Sequence, residues 1–436
     1  MQAVSVNHAL GEELYELAAR IFPICRSITG DGVRRTIDIL AAYAPFERKE
    51  VPTGTPVLDW EVPKEWNIRD GYIAKDGKRL VDFRRCNLHV LNYSTPINTI
   101  MSFSDLKTHL FTLPDQPTVI PYRTSYYHEN WGFCIAHDQL GELERLGGPF
   151  EVVIDASLEP GHLTWGEYVL PGRSKREVLL TTHICHPSLA NDNCSGLALM
   201  ALLARELARS ERPVTYRFLL IPGTIGSLTW LALNEAAVGN IMAGLVVSCV
   251  GDAGGPTYKR SRRGDTLVDR AFAHVLPQDA PGHRIIDFFP YGYDERQFCS
   301  PGFNLPVGLF QRSQFATYPQ YHTSGDDLDF IKSEHLAHSY AIIRRAIGII
   351  ESDRVLVNLF PKGEPQLGRR GLYGKLGGTA DAWRANMAML WVLNLADGEH
   401  SLLDTAERAG LPFELVARLA AVLEQAGLVR PKAEAL

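Results

Sequence analysis

The sequence predicts an α/β protein with a mixed, mostly parallel main sheet, a β-rich insertion and a small helical tail. Three observations carry this. Strand-like apolar runs alternate with helical-period stretches from Phe150 to Ser352, a turn-rich region precedes them, and three helical patterns follow a Gly- and Pro-rich break. Strand alternating with helix is the signature of parallel strands joined by crossover helices.

In chain order, apolar residues in LGEELYELAARIFPI (10–24) recur at three and four, predicting a helix. Gly30-Asp31-Gly32 breaks the run before a second helix through Ile37, Leu40 and Tyr43. From Val51 the chain turns to short alternating runs with turn signals such as Arg69-Asp70-Gly71 and Lys75-Asp76-Gly77, ending in the aromatic-rich YRTSYYHENWGFCIAHDQL. From Phe150 the runs EVVIDASL, TWGEYVL, EVLLTTHI, TYRFLLIP and AGLVVSCV read as strands, with SGLALMALLARELARS and SLTWLALNEAA as helices between them. LDFIKSEHLAHSYAIIRRAIGIIES reads as a long amphipathic helix. The expected organisation is a core of residues 1–54 and 147–360, an inserted module at 55–146, a linker at 361–378 and a winged-helix-like tail at 379–436.

Composition narrows the function. With 44 basic against 50 acidic residues, the net charge of −6 argues against a chain built to coat phosphate backbones. The tail repeats this, with five Lys/Arg against eight Asp/Glu from Asp381 onward, so it is expected to pack or dimerise and no nucleic-acid partner is expected. Seven cysteines without a C-x-x-C pair suit reduced thiols. The first thirty residues show no basic-then-apolar leader, and no apolar stretch reaches membrane-spanning length, so a soluble cytoplasmic protein is expected.

The densest polar cluster, TTHICHPSLANDNCSG (181–196), lies between an apolar strand and an apolar helix, where open α/β sheets gather ligands. His183, His186 and Asp192 are capable ligands for a borderline metal such as zinc, although Asn191-Asp192-Asn193 would also cap the following helix. His322 lies in YPQYHTSGDDLDF with Asp326 and Asp327 beyond it, and Asp252 ends another apolar strand. If the strand ends share one edge, His183 or His186, Asp192, Asp252 and His322 come together.

In this set the chain resembles the co-catalytic zinc aminopeptidases. More closely, it is similar to a branch of bacterial aminopeptidase-like proteins with an inserted β-rich module and a C-terminal winged helix. The resemblance spans essentially the whole chain and rests on His-Ile-Cys-His-Pro (183–187), Asn-Asp-Asn (191–193), Thr-Ile-Gly-Ser (224–227), Asp-Glu-Arg-Gln-Phe (294–298) and Tyr-His-Thr-Ser (321–324) in this order. It implies a zinc-exopeptidase-like three-layer core and one or two zinc ions. It also implies His183 as a metal ligand, Asp192 as the bridging carboxylate, and Asp252 and His322 as further ligands.

The sequence departs from the family in two places. Cys185 stands where an Asp would orient the His183 imidazole, so His186 either adds a ligand or takes the place of His183. Gly223 stands where a catalytic acid is expected, and a glycine can neither ligate metal nor take a proton. Glu295 in the Asp294 segment is the substitute, unless it only pairs with Arg296 at the surface.

Arg296, Arg312 and Tyr293 are candidates for substrate binding, with Tyr291 and Phe298 as further pocket or core aromatics. The run Lys259-Arg260-Ser261-Arg262-Arg263 either holds an oxyanion or forms a solvated loop.

The expected function is a zinc hydrolase cutting an amide bond beside a free amino group in a peptide or amino-acid-containing metabolite, with Glu295 or Asp294 moving protons. The first alternative keeps the fold as a metal- or ligand-binding module without catalysis. The second is a regulator acting through the winged helix. Residues 55–146 are either a lid or an interface of a homo-oligomer.

Overall fold

The computed structural model describes residues 7–372 and 380–433; the end of the predicted linker and Thr379, where the tail is expected to begin, lie outside them. The chain divides into two compact units, Met1–Asp269 with Asp279–Ile342, and Arg270–Gln278 with Ile343–Leu436.

The first unit opens with helix α1 (His8–Ile21), which Asn7 caps by accepting from the Leu10 N–H and which buries Leu14, Leu17, Ala18 and Ile21. Helix α2 (Asp31–Ala41) follows the break at Gly30. The eight-stranded main sheet is built from β1 (Glu47–Pro52), β2 (His162–Leu170), β3 (Ser174–His183), β4 (Val214–Ile221), β5 (Ile241–Val247), β6 (Thr257–Lys259), β7 (Arg284–Ile286) and β8 (Val307–Gln311). Their spatial order is β1-β2-β4-β3-β5-β8-β6-β7. The four central strands β4, β3, β5 and β8 run parallel, in register at Thr181 with Leu219, Leu180 with Leu245 and Val246 with Leu309. Antiparallel pairings join β1 to β2, β2 to β4 and β6 to β8, which makes the sheet mixed.

The parallel centre explains the unbroken buried run at the end of β3: Val178 to His183 are buried without alternation, as a strand covered on both faces requires. Helices α3 (Gly196–Leu207) and α4 (Ile225–Asn234) begin soon after β3 and β4 respectively, so the intervening loops fall at the carboxyl ends of the parallel strands.

The insertion forms a four-stranded antiparallel sheet in the order Lys78–Asp82, Glu65–Lys75, Phe150–Glu159, Ile97–Met101. Phe150–Glu159, which the sequence assigns to the core, thus pairs inside the insertion, with Val153 opposite Tyr72 and Ile154 opposite Ile97. Its burial alternates, with Phe150, Val152, Ile154 and Ala156 turned inward, the mark of a one-faced antiparallel strand. One hydrophobic cluster joins Trp66, Phe133 and Val152 of the insertion to Leu179, Leu219 and Leu309 of the main sheet. The module shares the core of the unit that hosts it.

The second unit carries helices Ala380–Leu395, Leu402–Ala409 and Phe413–Gln425 and a three-stranded antiparallel sheet. The central strand of that sheet is Val355–Asn358, between Asp397–Ser401 and Val429–Pro431, so the helical tail recruits a strand well before residue 379. Ser401 and Asp404 close a capping box on Leu402–Ala409. Among the described residues, no helix is long and apolar enough to cross a membrane.

Candidate functional site

The loop after β3 carries the site. His183 is the last residue of that strand, and the turn through His186 brings the chain back to Asp192 just ahead of α3. Gly196, at the start of α3, is required by close approach: a Cβ there would lie 2.3 Å from Asn193 Oδ1 and 2.7 Å from Thr182 Oγ1. The turn can therefore fold back tightly on the end of β3.

His183 Nε2 meets Asp192 Oδ1 at 2.8 Å and His186 Nδ1 at 3.1 Å. His186 Nδ1 lies 3.4 Å from the same carboxylate oxygen, and His322 Nε2 lies 3.1 Å from Asp192 Oδ2. Three imidazoles thus converge on one wholly buried carboxylate. Ligand atoms of His183, His186 and Asp192 all fall within 4.8 Å of one another. Among the described residues, Asp192 Oδ2 and His322 Nε2 are buried without an aligned hydrogen-bond partner. Buried polar atoms are normally satisfied, so this pair and the nitrogen-and-oxygen donor set fit a borderline cation such as zinc.

Electrostatics support the same reading. Burial alone would push the Asp192 carboxyl up, but the His186 and His183 imidazoles hold it well below the usual carboxylate range. Burial also lowers His186 and His322, keeping their rings in the neutral form that can donate a lone pair. Behind the cluster, Asp326 accepts from the backbone N–H groups of Asn191 at 2.6 Å and Asp192 at 2.9 Å, fixing the main chain that carries the carboxylate. Arg26 donates to the His186 carbonyl at 2.8 Å and the Pro187 carbonyl at 3.1 Å. The outer nitrogen of His183 meets Asn193 Nδ2 at 3.3 Å, so an amide, rather than a carboxylate, faces that side of the ring.

The cluster opens into a pocket of about 320 Å³. His183, His186, His322, Gly223, Tyr293, Asp294 and Arg296 line it together with an aromatic wall. Tyr293 stacks on His183 with ring centroids 4.9 Å apart, and its hydroxyl lies 3.1 Å from Cys249 Sγ and 3.5 Å from Asp192 Oδ1. Asp294 accepts from the Thr224 N–H at 2.8 Å and Ser227 Oγ at 2.9 Å, both through Oδ1. Its Oδ2 meets no partner among the described residues, and burial raises its pKa. Arg296 reaches Thr224 Oγ1 at 3.3 Å.

Several expected site residues lie elsewhere. Asp252 reaches the same sheet edge, but Ser313 Oγ at 2.6 Å and the Gly254 N–H at 2.7 Å occupy its Oδ1, and Asn191 Nδ2 at 2.9 Å its Oδ2. It braces the residue preceding Asp192. Glu295 is fully buried, bonded to Lys259 Nζ at 2.8 Å, and absent from the pocket lining. Arg312 is also outside the lining, 3.3 Å from His338 Nδ1. The basic run disperses: Lys259 is inside, Arg260 donates to the Gly264 carbonyl and Arg262 to Asn304.

Sequence reasoning missed the contribution of the insertion. Trp60, Tyr126 and Tyr127 line the pocket, and the Tyr122 ring lies 5.1 Å from both His186 and His322. The Tyr122 N–H donates to the His322 carbonyl at 2.7 Å, and the Ser324 N–H to the Ile120 carbonyl at 2.8 Å. The aromatic run YRTSYYHENW was the visible signal, but nothing in one sequence ties it to a histidine 200 residues later.

Comparison with known proteins agrees with this fold. A family model described as a domain of unknown function (DUF4910) matches residues 15–353, and a winged helix-turn-helix model matches residues 354–431. A Clostridium acetobutylicum protein, whose name couples polysaccharide biosynthesis with an aminopeptidase-like domain, is 48% identical over 421 residues, covering 96% of each chain. A crystal structure described as a peptidase from Clostridium acetobutylicum superposes with a TM-score of 0.93 at 46% identity, covering 98% of this chain and 97% of that one. The zinc aminopeptidase of Bacillus subtilis shares the fold, with a TM-score of 0.56 at 13% identity over 79% of this chain and 95% of its own.

Proposed function

From the premise that the chain belongs to the DUF4910 family and has an aminopeptidase-like α/β fold with a winged-helix region, we propose that it is a cytoplasmic zinc-dependent hydrolase. Its substrate would be an amide bond in a small peptide or an amino-acid-containing metabolite. The observation that carries this reading is the meeting of three imidazoles with one buried carboxylate beside a pocket that is also lined by Asp294, one of whose oxygens has no partner among the described residues.

His183, His186, Asp192 and His322 would hold the ion. When bound, zinc acts as a Lewis acid toward an amide carbonyl. The remaining work falls to the chain itself. Asp294, which lines the pocket, replaces Glu295 as the group that moves the proton: Thr224 and Ser227 fix one oxygen, and the other has no hydrogen-bond partner among the described residues. Its raised pKa brings its basicity closer to neutrality, where a carboxylate both takes and returns a proton well. Arg296 offers a guanidinium to a substrate carboxylate, and Tyr293 fixes the His183 ring by stacking. The aromatic wall of Trp60, Tyr126, Tyr127, Phe315 and Tyr321 shields the bond from bulk water and sets the size of what enters.

The test is zinc content and turnover measured together. Purified protein is expected to hold zinc and to release free amine from a panel of aminoacyl amides, with both properties lost in Asp192→Asn. Equal and negligible rates in the two proteins overturn the hydrolase; zinc retained without turnover reassigns the pocket to ligand binding.

A further inference from the structure

A groove of about 750 Å³ opens beside the metal pocket and shares no lining residue with it. Three chain segments nonetheless serve both. Ser27 lines the groove and Ile28 the pocket, Ser188 the groove and His186 the pocket, Ser324 the groove and His322 the pocket.

The charge of this groove is opposite to that of the molecule. Four guanidinium groups line it, those of Arg35, Arg69, Arg84 and Arg85, against one carboxylate, Asp31, within a chain of net charge −6. Asp31 is itself tied to Arg34 at 3.0 Å. Arg69 pairs with Asp155, and Arg84 with Asp70 at 2.8 Å. Arg35 and Arg85 are exposed and have no carboxylate partner among the described residues. Concave walls concentrate such a field, and guanidinium binds phosphoryl oxygens in pairs. The volume lies within the range of about 300–1,000 Å³ usual for small-molecule sites, well beyond a lone inorganic anion.

We propose that this groove is a second, separate binding site for a small molecule carrying a diphosphate group, with Arg35 and Arg85 as its principal anchors. The two guanidinium groups left without a carboxylate among the described residues, Arg35 and Arg85, suit a ligand with at least two negative charges. The site requires neither metal nor the hydrolytic reaction.

The probe is inorganic pyrophosphate, titrated by calorimetry into the full chain after metal removal and dialysis. A saturable isotherm with Kd below about 1 mM is expected. Arg35→Ala/Arg85→Ala should weaken it about tenfold or more, the loss of at least one charge-assisted hydrogen-bonded pair. Arg35→Lys/Arg85→Lys, which keeps the charge, should fall between, showing that geometry as well as charge is read. Citrate, whose three carboxylates are spread along a carbon chain, should bind at least about tenfold more weakly than pyrophosphate, whose charge sits on two phosphoryl groups sharing one oxygen; the guanidinium fork itself accepts either anion. Asp192→Asn should leave pyrophosphate binding unchanged, which separates failure here from failure of the hydrolase reading. No saturable binding, binding indifferent to both arginine pairs, or citrate binding as tightly as pyrophosphate would each overturn the proposal.

Discussion

Lys259 and Glu295 form a fully buried ion pair, with Nζ 2.8 Å from Oε1 and neither side chain exposed. The same ammonium donates to the Tyr291 carbonyl at 2.7 Å and lies 3.9 Å from the Phe289 ring centroid. Gly292 packs so closely that a Cβ there would lie 2.1 Å from Glu295 Oε1. The pair fastens the segment that presents Tyr293 and Asp294 to the pocket. Removing one partner strands a charge in the interior at a cost of about 3–5 kcal/mol. Lys259→Met and Glu295→Gln are each expected to lower stability in denaturant unfolding, and the double variant is expected to recover much of the loss. Additive losses would show that the two charges do not depend on each other.

Asp294 separates chemistry from folding. Asp294→Asn keeps the size and the Oδ1 contacts, so zinc content should be unchanged while kcat falls by about 10²–10⁴. As the proton acceptor of the proposed reaction, Asp294 must be ionised before substrate binds. Since its pKa is raised by burial, the acid limb of kcat/KM should lie above the usual carboxyl range, with activity lost as pH falls through it. An unchanged rate in the asparagine variant would return the proton to another group.

Metal binding should be visible as stability. Zinc at a hundredfold its Kd should add about 2.7 kcal/mol to the folded state, read as a rise in Tm. Asp192→Asn should abolish the rise, because the three imidazoles lose the carboxylate on which they converge.

Gly223 leaves room where the resemblance expects an acid. A Cβ there meets only Cys185 Sγ at 3.4 Å and His183 Cβ at 3.8 Å, both ordinary van der Waals separations. Gly223→Glu is therefore expected to fold, to change stability by less than about 1 kcal/mol and to raise turnover at least about tenfold by adding a second carboxylate to the pocket. A stable variant with no gain would show that Asp294 already supplies what the missing acid would.

Much of this was legible in the chain. β3 announces itself as an apolar run ending in His183, and the loop to Asp192 stands out as polar residues between a buried strand and a buried helix. Element type and the strand-end rule bring His183 or His186, Asp192 and His322 to one edge, where the structure has all four side chains meeting. They were not enough for Asp252, because spacing delivers a residue to an edge but does not reveal that Ser313 and Gly254 satisfy its carboxylate there. Glu295 misled for a related reason: consecutive residues on a short turn face different ways, so Asp294 reaches the pocket while its neighbour meets Lys259. Phe150–Glu159 reads as a core strand by its apolar content, whereas its alternation fits the one-faced sheet of the insertion in which it pairs. The tail strand Val355–Asn358 escaped because four residues carry too little pattern to place.

The backbone bonds from Ile120 and Tyr122 to the His322 segment make residues 55–146 a bracket for the stretch of chain that carries that imidazole rather than a passenger on the scaffold. A version of this protein trimmed to its main sheet would lose its hold on His322 along with its aromatic doorway. Under the proposed hydrolase reading, a substitution that reshapes that doorway would also disturb the clasp, so pocket entry and the placement of His322 would change together.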